Sequence, residues 1–193
     1  MPTPITDIDA DIIFIIDSSS DVTPENYVRE KSLVKDMARY LNVSAGGSRA
    51  ALITYGNKPT LVFKFGDYGS LPSLDNAVDR AQFVGGGRRL DLALEDAGLL
   101  LSEASPFKAK WVILLTSGAH STAPDVKSML DASKTVRDKS DRVYIVAIGS
   151  RVNIKELEEA VMDPNDIFPV LSFQSLRPRA RLIAYTVVKR HGK

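Results

Sequence analysis

The stretch Asp11 to Val22, DIIFIIDSSSDV, constrains this chain more than any other. Ile12 to Ile16 are uninterrupted branched or aromatic apolar side chains. A run of that length reads as a strand buried on both faces, the signature of a central strand in a parallel sheet. Asp17, Ser18, Ser19, Ser20 and Asp21 then crowd its carboxyl end, and Thr23-Pro24-Glu25 can cap and open a helix. In open α/β sheets the ligand crevice lies at that end of the strands, where the strand order reverses.

Strand and helix signals alternate along the rest. Tyr27, Leu33, Val34, Met37, Ala38 and Leu41 recur at helical spacing, which predicts an amphipathic helix over Pro24 to Leu41, ended by the Gly46-Gly47 loop. Ala51 to Gly56 and Thr60 to Phe65 read as strands. The short Asn57-Lys58-Pro59 link between them favours an antiparallel hairpin with the second strand at a sheet edge. Helices are expected over Leu74 to Ala81, Leu90 to Ser102, Pro124 to Lys139, Ile154 to Met162 and Leu176 to His191. Strands are expected over Trp111 to Thr116, Val143 to Gly149 and Ile167 to Leu171. The fold class is therefore α/β, Rossmann-like and doubly wound: a mostly parallel six-stranded sheet with one antiparallel edge strand and helices on both faces.

Composition narrows the function classes. A chain of 193 residues with 44% apolar and 25% charged side chains has enough length for one good core, and a single domain over 1–193, core about 11–190, is the natural reading. The formal net charge of +1 gives no reason to expect nucleic acid. Without cysteine there is no disulfide framework, thiolate metal site or cysteine nucleophile. No apolar stretch nears the roughly 18 residues that suggest a membrane span, so no membrane insertion is expected. MPTPITDIDA lacks the basic start and apolar core of a signal peptide.

Three loops should meet at the top of the sheet: Asp17 to Asp21, Gly85 to Asp91, and Ser117 to Thr122. The order of elements, the DxSx-type end of the first strand, the GGG loop leading into LALEDA and the strand WVILLTSG together resemble a von Willebrand factor A-type domain, over about Asp11 to Ile183. The likeness is greatest to the domains of matrix proteins such as type VI collagen chains, matrilins and cochlin. It implies a non-enzymatic protein-binding or assembly module, secreted to the extracellular matrix within a larger chain. Its partners would be collagens, other matrix proteins or a second copy. Such domains carry a metal-ion-dependent adhesion site, built from Asp-x-Ser-x-Ser, a Thr and an Asp. Asp17 and Ser19 match its first two ligands. Asp21 stands where the second serine belongs, Arg88 in place of the threonine and Ser117 in place of the aspartate.

An arginine donates only and is always charged, so it cannot coordinate a cation. Arg88, or Arg89 beside it, is expected to replace the ion and form a bidentate pair holding Asp17 and Asp21, leaving a degenerate site with no metal and no cofactor. The alternative is a metal-dependent adhesion domain using Asp17, Ser19 and Asp21. A remote alternative is a haloacid-dehalogenase-like phosphotransferase with Asp17 as nucleophile and Thr116 or Ser117 on the phosphate. That chemistry wants a second Asp two residues on, where Ser19 stands.

The remaining signals have plainer readings. Gly85-Gly86-Gly87 lacks a phosphate-loop pattern and reads as a flexible connection. His120 and His191 read as surface histidines, and Trp111 as packing or rim. Asn42-Val43-Ser44 is an N-glycosylation acceptor in a polar loop expected to be exposed. From Arg177 onward the chain has six Lys/Arg and no acid, open to weak glycosaminoglycan contact but read first as a solvated helix face favoured near a helix C-terminus.

Overall fold

The computed structural model describes residues 9–121 and 123–191, with His191 in backbone only. Readings that touch residues 1–8, Thr122, the His191 side chain or Lys193 lie outside the described residues. The strands are β1 (Ala10–Asp17), β2 (Arg49–Tyr55), β3 (Pro59–Phe63), β4 (Ala109–Thr116), β5 (Arg142–Ile148) and β6 (Ile167–Val170). They form one sheet in the order β3-β2-β1-β4-β5-β6. β3 pairs antiparallel with β2 at the edge, and every other pairing is parallel. The expected class and the antiparallel edge both hold.

The helices are α1 (Pro24–Tyr40), α2 (Leu71–Arg80), α3 (Leu90–Leu100), α4 (Met129–Lys139), α5 (Ile154–Glu158) and α6 (Leu176–His191). Side chains alternate across β1, so each neighbour in the apolar run faces a different helical layer. Ile12, Phe14 and Ile16 pack with Leu33, Met37, Trp111, Tyr144 and Val187 on one side. Ile13 and Ile15 pack with Leu94, Ala97, Leu114, Val136 and Leu157 on the other. Trp111 is wholly buried, edge-on to Tyr144 with ring centroids 6.2 Å apart, so it packs and forms no rim.

Helix ends follow local capping more than apolar period. α2 starts at Leu71, earlier than expected, because Ser70 caps it through the Ser73 N–H. α4 starts at Met129 instead of Pro124, because Ser128 accepts the Asp131 N–H at 3.1 Å and the residues before it form turns. α5 stops at Glu158, short of Met162, and α3 passes into a 3₁₀ turn at Leu101–Glu103. The strand order turns back between β1, which pairs with β2 on one side, and β4 on the other. The crevice of an open α/β sheet belongs at that switch point.

Candidate functional site at the top of the sheet

β1 ends in Asp17, which is fully buried. Its Oδ1 accepts the Ser19 N–H at 2.9 Å, folding the serine loop back over the strand end. Its Oδ2 accepts Arg88 Nε at 2.9 Å and the Ser117 hydroxyl at 3.5 Å. The same guanidinium places Nη2 3.2 Å from Asp21 Oδ2 and 3.3 Å from Ser117 Oγ, and donates Nη1 to the Ala119 carbonyl at 3.3 Å. One side chain, only 9% exposed, thus touches all three loops.

The expected bidentate pair is instead a bridge, with Nε on Asp17 and Nη2 on Asp21. Asp21 is half exposed, and Arg151 approaches its other side at 3.7 Å. Arg89 does not share this place. It forks onto Asp91 at 3.0 and 2.9 Å and reaches Asp125 at 2.9 Å. Burial works against the Arg88 charge, but Asp17, with Tyr55 and Asp21, together more than offset it, and its pKa lies above that of an ordinary arginine.

Two backbone features make room for the bridge. Gly118 lies against the guanidinium, where an added Cβ would come within 2.2 Å of Nη1. In the glycine loop Gly85 and Gly86 have φ of +75° and +86°, a region that side chains disfavour. That loop is not the flexible connection expected. The Gly85 N–H donates to the Ser18 carbonyl at 2.8 Å, the Gly86 N–H to Ser20 Oγ at 2.7 Å and the Gly87 N–H to Asn57 Oδ1 at 2.5 Å. The loop is laced to the serine loop, so Arg88 is presented from a fixed backbone.

Beneath the apex lies a group that the sequence reading missed. Glu30, on α1, is wholly buried, and its Oε2 accepts the Asp17 N–H at 2.9 Å while Oε1 has no partner among the described residues. Burial first, and the Asp17 charge second, push its pKa well above the usual carboxyl range. The signal was present: Glu30 falls at i+3 from Tyr27 and i−3 from Leu33, on the apolar stripe of the helix. Ser19 is also buried, and its Oγ has no hydrogen-bond partner among the described residues.

His120 is a further correction. It is 8% exposed, with Nε2 2.6 Å from the Lys127 carbonyl and its backbone N–H on Glu156, because the loop after β4 folds inward over α5. Asn42 lies at the far end of the sheet, in the turn between α1 and β2, half-buried instead of exposed, at φ +57°. Among the described residues no group of three or more His, Asp or Glu side chains is gathered as for a metal ion, and no helix is long and apolar enough to cross a membrane.

Comparison with known proteins places the chain. Cuticlin-6 of Caenorhabditis elegans is 29% identical over 170 residues, covering 86% of this chain and 28% of that protein. The collagen alpha-4(VI) chain of Mus musculus is 29% identical over 87% of this chain and 7% of its own length. Matrilin-1 of Mus musculus is 29% identical over 81% of this chain and 31% of its own. The chain thus spans under a third of each of these relatives, which are extracellular-matrix proteins. Among solved structures, proximal thread matrix protein 1 from the mussel byssus superimposes with a TM-score of 0.83 at 23% identity, over 92% of this chain and 48% of that one. The same mussel protein with a zinc-occupied adhesion motif gives a TM-score of 0.82 at 26% identity, over 93% of this chain and 46% of that one. The family profile of the von Willebrand factor type A domain matches residues 11–179, and the chain belongs to that family.

Proposed function

We propose that this chain is a single non-enzymatic binding or assembly domain of a secreted matrix protein, whose apex is closed by Arg88 in place of a metal ion. One observation carries the reading: the Arg88 guanidinium bridges Asp17 and Asp21 and hydrogen-bonds Ser117 and Ala119. A divalent cation needs oxygen donors converging on one point and tolerates no fixed positive charge among them. The donor set here does not fit one. Binding then falls to side chains and loop backbone at this apex or elsewhere on the surface, toward collagens, other matrix proteins or a second copy. The phosphotransferase alternative is disfavoured, since Asp17 is buried with both oxygens hydrogen-bonded.

A second reading, a metal site on Asp17, Ser19 and Asp21, is favoured by the buried and unpartnered Ser19 Oγ. It would require Arg88 to swing out. Calorimetric titration with magnesium, manganese and zinc separates the two. The expected result is no binding by the natural sequence, and binding by the Arg88→Thr, Ser117→Asp double variant, which restores the family's ligand types. Metal at a hundredfold excess over its Kd should then stabilise that variant by about 2.7 kcal/mol. Binding to the natural sequence that is abolished by Asp17→Ala would establish the second reading instead.

A further inference from the structure

The α6 helix carries its charge the wrong way round. Lys189 and Arg190 near its end agree with the macrodipole, but Arg177, Arg179 and Arg181 occupy the first two turns, which hold no acidic residue in the opening turn. The exposed N–H groups and the dipole make a helix start the place for acids, and each cation there is unfavourable. The expected reading of a basic face favoured near a helix C-terminus therefore fails for these arginines. Nor does neutralisation by neighbours explain them. Arg177 has a 3.5 Å approach to Asp36, a carboxylate already held by Arg39, and is 81% exposed. Arg179 and Arg181 are exposed with no ion pair among the described residues. Arg190 is different: it is locked onto Asp163 and Asp166 at 3.0 and 2.9 Å.

Helical geometry arranges Arg177, Arg181 and Lys189 in a line, with Arg179 off it around the helix. Leu176, Ala180, Ile183, Ala184 and Val187 are buried, which leaves Arg177, Arg181, Tyr185 and Lys189 on the solvent side. These four are spaced i, i+4, i+8 and i+12, a ridge about 18 Å long at 1.5 Å rise per residue. Lys189 Nζ lies 4.8 Å from the centre of the Tyr185 ring, which holds the ammonium on the ridge. Pro178 and the exposed Leu182 flank it.

We infer that the solvent face of α6 is a binding ridge for a sulfated glycosaminoglycan, with Arg177, Arg181 and Lys189 as its anion contacts. A linear row of cations complements a linear polyanion, whereas a globular acidic partner would be met by a two-dimensional patch. Arginine forks also suit sulfate oxygens as they suit phosphate. The inference goes beyond the apex reading and stands or falls independently of it.

The test is binding of the chain to an immobilised heparin oligosaccharide against salt. By the counterion-release rule for polyanions, about three contacts give a log–log slope of about −2.1 to −2.7, so going from about 50 to about 200 mM salt should weaken binding roughly eighteen- to fortyfold. The Arg177→Ala, Arg181→Ala, Lys189→Ala triple variant should bind about tenfold more weakly or worse at the lower salt, with no loss of thermal stability, because all three side chains are exposed and the two arginines near the helix start oppose the dipole. The control triple Arg80→Ala, Lys110→Ala, Lys155→Ala removes the same charge elsewhere and should bind as the natural sequence does. No binding at low salt, an unaffected ridge triple, or a control triple that loses as much would each overturn the assignment. Equal binding of single-stranded DNA of matched charge would overturn it too, since the ridge would then select charge alone.

Discussion

Both ends of β1 carry a buried aspartate paired with an arginine, and the two pairs are built differently. At the lower end Asp11 is met by Arg49, its register partner on β2, through two donors at 2.7 and 2.5 Å, and also accepts the Ser105 N–H at 2.6 Å. At the upper end Asp17 shares its arginine with a second carboxylate, and the arginine comes from a loop distant in sequence. Arg49 is 31% exposed and its pair is complete in itself. Arg88 is 9% exposed, and the buried Glu30 next to Asp17 has no ion pair among the described residues. The lower pair is a clasp between adjacent strands, aligned by the sheet. The upper one is a single charge holding three loops over unsatisfied polar atoms, the kind of local conflict that folds retain at functional sites.

Removing each arginine tests that contrast, and the upper one should matter more. Arg88→Ala leaves a fully buried carboxylate without a counter-charge, close to the buried-pair limit, so a loss of about 3 to 4 kcal/mol is expected in urea unfolding. The Asp21 contact adds little, because that side chain is half exposed and screened. Arg49→Ala should cost about 1 to 2 kcal/mol, since water reaches the half-open pair and the Ser105 N–H still serves Asp11. Equal losses, or a larger one at Arg49, would mean that the apex relaxes around an empty position and that Arg88 is no keystone.

How far each end could be read from residues alone follows the same divide. Runs such as Ile12 to Ile16 and WVILLT betray central strands because burial on both faces leaves no room for polar side chains. The edge position of β3 followed from the short Asn57-Lys58-Pro59 link. At the apex, the residues were legible but their geometry was not. Arg88 and Arg89 are identical neighbours in the sequence. The side chain that turns inward is set by the positive φ of Gly85 and Gly86 and by the space over Gly118. His120 was misplaced because loop paths leave no periodic trace. Glu30 was missed for the opposite reason. The periodicity marked its position as buried, and its charge obscured the fact.

Glu30 also offers the sharpest test that the apex is strained, with a smaller effect. The charged and titratable groups that face it are Asp17, Arg88, Tyr27 and Tyr55. A carboxyl whose pKa is raised in the native state holds its proton more tightly there than in the unfolded chain. Its contribution is therefore intact below the ordinary value of 4.5 and is lost as pH rises toward the native value. Glu30→Gln keeps an acceptor for the Asp17 N–H and removes the titration. It should be close to neutral at low pH and stabilise by about 1 kcal/mol at neutral pH, the gain trimmed by amide hydrogens with no acceptor. Melting curves across pH 4 to 8 would show the natural sequence losing ground to the variant as pH rises. Parallel curves would mean that Glu30 is already neutralised by a partner and that the apex holds no conflict.

The smallest effect is expected from a change at the opposite end. Asn42 of the Asn42-Val43-Ser44 triplet sits in the turn leading from α1 toward β2, remote from the three loops. Its φ of +57° suits asparagine, and its side-chain amide lies over Gly47, where an added Cβ would meet Nδ2 at 2.8 Å. Material secreted from mammalian cells should show a mass shift on glycosidase treatment. Removing the glycan should change stability by less than about 0.5 kcal/mol, as for most surface changes. The loss caused by Arg88→Ala should be the same with and without it, because distant sites add independently. A glycan-dependent loss at Arg88 would couple the two ends through β1 and α1, and the contrast between a local clasp and a separate apex would fail.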